Sequence, residues 1–167
     1  RAGIIIEKTD YKKEKQENVI KNILSTTNDW FIKNLNNPEA ELCRKYLKTR
    51  KLSNSTIIKF KLGYSYNANS TLFKYLISLS FKETDIIKSN VVKLDKNNKV
   101  RDYFYKRLIF PITDDKHNIV GFGGRSLDNS NPKYINSPES NFFQKRYLLF
   151  NLAEAKISAR KKNNLLI

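Results

Sequence analysis

From Glu17 to Leu35 the apolar residues Val19, Ile20, Ile23, Leu24, Trp30, Phe31 and Leu35 recur at helical spacing, the stripe of a half-buried helix. Asn37 followed by Pro38 predicts an N-cap with proline in the first helical position, opening a second helix that runs to about Arg50. That helix is expected to bury Leu42, Cys43, Tyr46 and Leu47. Ser53 is placed to cap a third, short helix, "NSTIIKFKL", with Gly63 positioned to end it in a left-handed cap. A fourth helix, "TLFKYLISLS", follows Ser70, and a fifth covers Lys82 to Ser89. Residues 1–15 read as a polar linker arm with an apolar start.

Past Asn90 the period changes. "VVKLD", "DYFYKRLIFPIT" and "NIVGFGG" are rich in β-branched and aromatic residues and are separated by the turn-forming "KNNK" and "DDKHN". This predicts antiparallel hairpins, with Pro111 requiring an edge position or a bulge. The stretch Leu127 to Ser140 is a long polar loop, and a last helix from about Leu148 to Lys162 buries Leu152, Ala155 and Ala159. The expected fold class is α+β: a helical N-terminal half packed on a small, largely antiparallel sheet, closed by a C-terminal helix. The length of 167 residues suits one domain.

Charge narrows the range of functions. A net charge of +16 implies a polyanionic partner, nucleic acid before an anionic membrane or an acidic protein. The abundance of Lys, Asn and Ile offers a plainer source of lysine in an A/T-rich coding sequence, so arginine is the better discriminator. Of eight arginines, Arg107, Arg125 and Arg146 stand out against a lysine-rich background, where the planar fork matters for clamping phosphate or stacking on a base. The single cysteine, Cys43, excludes a disulfide framework or cysteine-rich zinc site and reads as a buried thiol. No apolar run is long enough to span a bilayer, and no secretory signal opens the chain, so a cytoplasmic location is expected. The chain contains no methionine and ends in the apolar "NNLLI", which points to a piece of a longer protein.

Three of the five glycines fall in "GFGGR", at Gly121, Gly123 and Gly124. Their spacing fits neither the phosphate loop of mononucleotide-binding proteins nor the dinucleotide fingerprint, and polar loop follows where those motifs require a helix. Two readings stand equally: a bulge where the strand bends, or backbone bared so that a nucleic-acid strand lies against it, with Arg125 on phosphate. "PKYINSP" places Lys133, Tyr134 and Asn136 between two prolines, a cation, a ring and an amide, which is the equipment for holding single strands. Alternation sends Lys133 and Ile135 one way and Tyr134 and Asn136 the other; the plainer reading is an ordered loop with Tyr134 as a packing lid. Lys145 and Arg146 precede the last helix as candidate cations. His117 and the pair Asp114 and Asp115 lie in a turn, where aspartate serves the local backbone. With no nucleophile–base pair and no carboxylate dyad, no catalytic or metal-binding residue is assigned, and the chain reads as a binding surface.

The residues then resemble a known family. "RLIFPITDDKHNIVGFGGRSLDNSNPKYINSPESNFFQK" is similar to the basic signature block of the bacterial DnaG-type DNA primase catalytic core, and "CRKYLKTRKLSNSTIIKFKLGY" resembles an upstream segment of that family. Together the matches span Glu39 to Ile167. The resemblance implies that residues 16–162 are the N-terminal subdomain of the RNA-polymerase core and that 163–167 begin a Toprim strand. It implies a parent enzyme, a nucleotidyltransferase, that copies single-stranded DNA into short RNA primers during replication. Single-stranded DNA, primer–template hybrid and nucleoside triphosphates are the implied partners of this region. Replicative helicase and single-strand-binding protein would meet other regions; no membrane partner is implied, and the isolated piece is expected to be monomeric. Mg or Mn is expected in the Toprim part and zinc in a preceding domain, with no cofactor here and no activity from this piece alone. The family-like positions are Arg107, Arg125, Lys133, Tyr134, Asn136 and Lys145. Lys51 stands where the family has glycine, a turn glycine is replaced within Lys116–Asn118, and Arg146 replaces a frequent glycine. A free-standing single-strand-binding module is the alternative; hydrolysis of ATP or GTP by the glycine loop is a weaker third.

Overall fold

The computed structural model describes residues 8–66, 70–128, 130–141, 143–147 and 152–162. Its fold is α+β. Helices α1 (Lys8–Leu35), α2 (Glu41–Thr49) and α3 (Asn54–Lys59) come first, followed by strand β1 (Gly63–Ser65) and helices α4 (Thr71–Ser78) and α5 (Glu83–Lys88). Strands β2 (Val92–Leu94), β3 (Val100–Asp102), β4 (Arg107–Thr113), β5 (Ile119–Ser126) and β6 (Tyr134–Asn136) follow, then α6 (Leu152–Lys162). An antiparallel four-stranded sheet has the order β1-β4-β5-β6, and β2 and β3 pair in a separate hairpin.

The sheet has two unlike faces. On one, Ile109 and Phe122 pack with Ile20, Ile23, Leu24 and Phe31 of α1, with Leu72 and Leu76 of α4, and with Ile86 of α5. Phe31, Phe104 and Phe122 meet there edge to face, with ring centroids 5.4–6.3 Å apart. On the other face, Tyr64 and Leu108 pack with Cys43 and Leu47 of α2 and with Leu62. Burial pushes the Cys43 thiol up to about 12, so it is an inert core group. That second layer covers only one end of the sheet; towards β5 and β6 the face is open, with Tyr134 62% exposed.

Several expectations shift. Helix α1 begins at Lys8, so 8–15, read as linker, are helical; residues 1–7 lie outside the described residues. Leu42 is exposed, because α2 turns Cys43 and Leu47 inward instead. Pro38 opens a single tight turn through Ala40 before α2 proper. Ser53 does cap α3, its hydroxyl accepting from the Thr56 amide at 3.2 Å. Gly63 does not end that helix: Lys61 takes the left-handed conformation at φ 49, and Gly63 is the first residue of β1. An added Cβ at Gly63 would lie 2.5 Å from Phe31 Cβ and 2.6 Å from its carbonyl carbon, so glycine is required there by contact of β1 with α1.

The segment expected as one strand, "DYFYKRLIFPIT", is two, β3 and β4, broken at Tyr103–Lys106. The break lets Asp102 turn inward, where its carboxylate accepts from the Leu72 and Phe73 amides at 3.0 and 3.1 Å and caps α4. Pro111 sits beyond the reach of β1, whose pairing with β4 stops at Ile109, so it lies on a locally free edge. Among the described side chains of α6, Ala153 is buried and Ala155 and Ala159 are half-buried, while that of Leu152 lies outside them. The expected first turn at 148–151 and the strand start at 163–167 lie outside the described residues.

Candidate nucleic-acid interface

Register decides which side chains share the open face. Arg125 pairs with Tyr134 and Gly123 with Asn136 across β5 and β6, and Phe110 of β4 pairs with Gly123. These positions have the same parity, so they point together, away from α1. Ile135, between Tyr134 and Asn136, packs on the α1-side core instead, which bears out the expected alternation of those three residues. Lys133, just before β6, is exposed and lines a hollow of about 310 Å³ beside Arg125, Ser126 and Ser130.

Arg125 is the centre of this surface. Its guanidinium carbon lies 4.0 Å from the Tyr46 ring centroid and 5.8 Å from that of Tyr134, and its Nε donates to the Tyr134 hydroxyl at 3.1 Å. That hydrogen bond lowers the Tyr134 phenol pKa. Arg50 Nε also donates to the Tyr46 phenol oxygen at 2.8 Å, with its guanidinium 5.2 Å from the ring centroid. The result is a cluster in which Arg125 is held between the Tyr46 and Tyr134 rings and Arg50 meets the Tyr46 ring. Arg125 is only 9% exposed, yet no carboxylate forms an ion pair with it among the described residues. Asp128 lines the hollow beside Arg125 but is engaged by the Ser126 hydroxyl and the Ser130 amide, which leaves the desolvated guanidinium open to an anion supplied from outside.

Beside this cluster lies a groove of about 370 Å³ over β4, β5 and β6. Phe110, Ile112 and Phe143 give it apolar walls, and Tyr134, Asn136 and Lys145 give it polar ones. Gly123 lies in the groove, where a Cβ would approach Asn136 Oδ1 to 3.2 Å. The other glycines have separate duties. Gly124 faces the core, where a Cβ would come within 2.7 Å of the Phe104 ring, and Gly121 abuts Phe143 and Ser137. Among the described residues no glycine has positive φ. The sheet's irregularity falls next to Gly121, because Ile112 pairs with Gly121 while Thr113 pairs with Ile119. The bulge reading therefore holds beside Gly121, whereas Gly123 bares backbone to the open face.

Of the remaining candidates, Arg107 departs from expectation. It faces the α1 side, is 6% exposed, and donates to the carbonyls of Gly124, Lys133 and Pro132 at 2.9–3.4 Å. Burial pushes its pKa down. Its donors tie the loop before β6 to the sheet, so its place is that of a brace. Lys145 and Arg146 are both exposed on a short turn (Lys145–Tyr147), and of the two only Lys145 lines the groove. Asp114 accepts from the amides of Lys116 and Asn118 within its turn, and His117 sits at φ 63 on the surface. Among the described residues no three His, Cys, Asp or Glu side chains gather into one cluster. Tyr46 and Arg50 were missed. The premise that singled out other arginines in a lysine-rich chain applies equally to Arg50.

Comparison with known proteins settles the family. Residues 30–156 match the family described as "DNA primase catalytic core, N-terminal domain". The chain belongs to this family. A DNA primase of Clostridium acetobutylicum is 37% identical over 123 residues, 74% of this chain and 20% of the relative. A DNA primase of Escherichia coli K12 is 30% identical over 152 residues, 91% of this chain and 26% of the relative. Among solved primase cores, a DnaG catalytic domain bound to ssDNA superposes with a TM-score of 0.80 at 30% identity, covering 87% of this chain and 47% of that one. The RNA polymerase domain of Mycobacterium tuberculosis DnaG, in complex with double-stranded DNA carrying a 6-nucleotide overhang, gives 0.82 at 25% identity over 87% of this chain and 46% of that one. The chain thus spans a fifth to a quarter of the length of these curated primases. Among the described residues of this primase-core domain, no helix is long and apolar enough to cross a membrane.

Proposed function

We propose that this chain serves in a bacterial DNA primase, an enzyme laying short RNA primers on single-stranded DNA, and that its open sheet face guides the template past the nucleotide site. The observation that carries this reading is Arg125, nearly buried between Tyr46 and Tyr134 with no carboxylate partner among the described residues. Template phosphate meets Arg125 and Lys133 at the polar hollow, while Tyr134 offers a ring to a base and Asn136 an amide to a sugar or base edge. Lys145 faces the same groove. The named relatives are DNA primases, and one similar catalytic domain was solved bound to ssDNA. The divalent metal of nucleotidyl transfer, and the residues holding it, belong on this reading to the following Toprim part, and zinc to a preceding domain. This chain alone is expected to bind template without making primer.

Binding of a fluorescent single-stranded oligonucleotide, followed by anisotropy across a salt series, tests the proposal. Log affinity is expected to fall by about 0.7 per phosphate contact for each log unit of salt. The Arg125→Ala, Lys133→Ala double variant is expected to lose binding and flatten that slope. Wild-type affinity in the double variant, or an affinity indifferent to salt, would overturn the assignment of this face.

A further inference from the structure

A large hollow lies on the other side of α2 from the tyrosine–arginine cluster. It is a cleft of about 1040 Å³ between the C-terminal half of α1, α2 and α3. Its lining is mostly apolar: Ile32, Leu52 and Ile57 are half-buried there, and Ile58 at the mouth is 75% exposed. Arg44 donates to the carbonyls of Leu35 and Asn37 at 2.8 and 2.6 Å, fastening α2 to the end of α1 and fixing the cleft's width. Three exposed cations, Lys48, Lys51 and Lys61, ring the mouth, and none forms an ion pair among the described residues. The lining includes one carboxylate, Asp29.

We propose that this cleft docks an acidic segment of a separate protein, held by large apolar anchors in the floor and by carboxylates at the lysine rim. Each alternative occupant conflicts with something in the cleft. Nucleic acid is disfavoured because no aromatic ring lines the cleft for base stacking and the apolar floor offers phosphate no donor. A second copy of this chain meets the rim with like charge, since the chain carries +16 overall. For a small ligand the volume lies at the top of the usual range, roughly 300–1000 Å³, and the lysine rim outside the apolar floor would go unused. An amphipathic peptide in a groove fits both size and lining. Lys48 turns toward the cleft while Tyr46 and Arg50 turn toward the sheet, so the two surfaces can be occupied together.

The test uses the full chain and a short fluorescein-labelled peptide in which Asp and Glu alternate with Leu and Phe. Saturable binding that weakens with salt is expected. Replacing the peptide's acids by Lys, or its apolar residues by Ala, should abolish it. Ile58→Asp, a change at an exposed position, and the Lys48→Glu, Lys61→Glu double variant should each weaken binding about tenfold or more while circular dichroism melts stay unchanged. Unlabelled single-stranded DNA should not displace the peptide; if the strand binds nowhere on the chain, that outcome counts against the template reading alone. Equal binding of the basic peptide, unchanged affinity in folded variants, displacement by DNA, or no saturable binding would each overturn the docking site.

Discussion

Tyr134 is the residue at which ring and hydroxyl can be separated. The ring is 62% exposed on β6, and the hydroxyl accepts from Arg125 Nε at 3.1 Å. Tyr134→Ala removes both, and Tyr134→Phe removes only the hydroxyl. Because the ring is exposed, neither change should move folding stability by more than about 0.5 kcal/mol. If the ring stacks a base, the Ala variant loses roughly 1–3 kcal/mol of affinity for single-stranded DNA, about 5- to 150-fold. The Phe variant keeps the stacking surface and loses one hydrogen bond that holds Arg125, so its loss should stay near threefold, about 0.7 kcal/mol. Anisotropy titrations of the three proteins at one low salt concentration, each checked by thermal melt, give the comparison. Equal losses in Phe and Ala would show that Tyr134 acts through Arg125 and not as a platform. Wild-type affinity in both would remove this face from the binding surface.

Other consequences concern how the face is held. Gly63→Ala forces a methyl group onto the backbone of α1 at Phe31, and should destabilise the chain by about 1–3 kcal/mol or more in urea melts. Asp102→Ala leaves two buried amides of α4 without an acceptor and should cost roughly 2 kcal/mol, whereas Asp102→Asn keeps one acceptor and should cost less. Burial raises the Asp102 pKa, so its contribution is fully present below the ordinary carboxyl value and is lost as pH rises through the raised one. Wild type should therefore gain on the Asn variant as pH falls toward 4. Asp128 runs the other way: hydrogen bonds from Ser130 and Ser126 pull its carboxyl from 3.8 down to about 2. What it adds to the loop after β5 is present above pH 4 and lost as pH falls through 2, which an NMR titration of the Ser130 amide would follow. A midpoint near 4 would show that those hydrogen bonds do not form in solution.

The helical half was legible because its apolar stripes have helical period, and both hairpin turns announced themselves through Asp, Asn and Lys. The start of α1 was hidden by chemistry: from Lys8 onward its residues are mostly charged, and a helix without an apolar stripe looks like linker. Gly63 was misread because glycine has two uses, left-handed backbone and close approach, and only the neighbouring helix reveals which applies. Arg107 and Arg125 illustrate the limit most clearly. Both are arginines in strands with basic neighbours, but register sends one to the α1 side as a brace and the other to the open face. Tyr46 and Arg50 lie far from β5 in sequence, and the docking of α2 on the sheet brings them to Arg125.

The most direct test of the central claim is where a single strand touches the chain. In an amide and side-chain NMR titration with a short single-stranded DNA, the largest shifts should fall on Gly123, Arg125 and Lys133 to Asn136, and on the Tyr46, Arg50 and Lys145 side chains. Helices α4 and α5, on the opposite side of the sheet, should stay still. Shifts gathered on α4 and α5, with the β5–β6 face silent, would contradict the account.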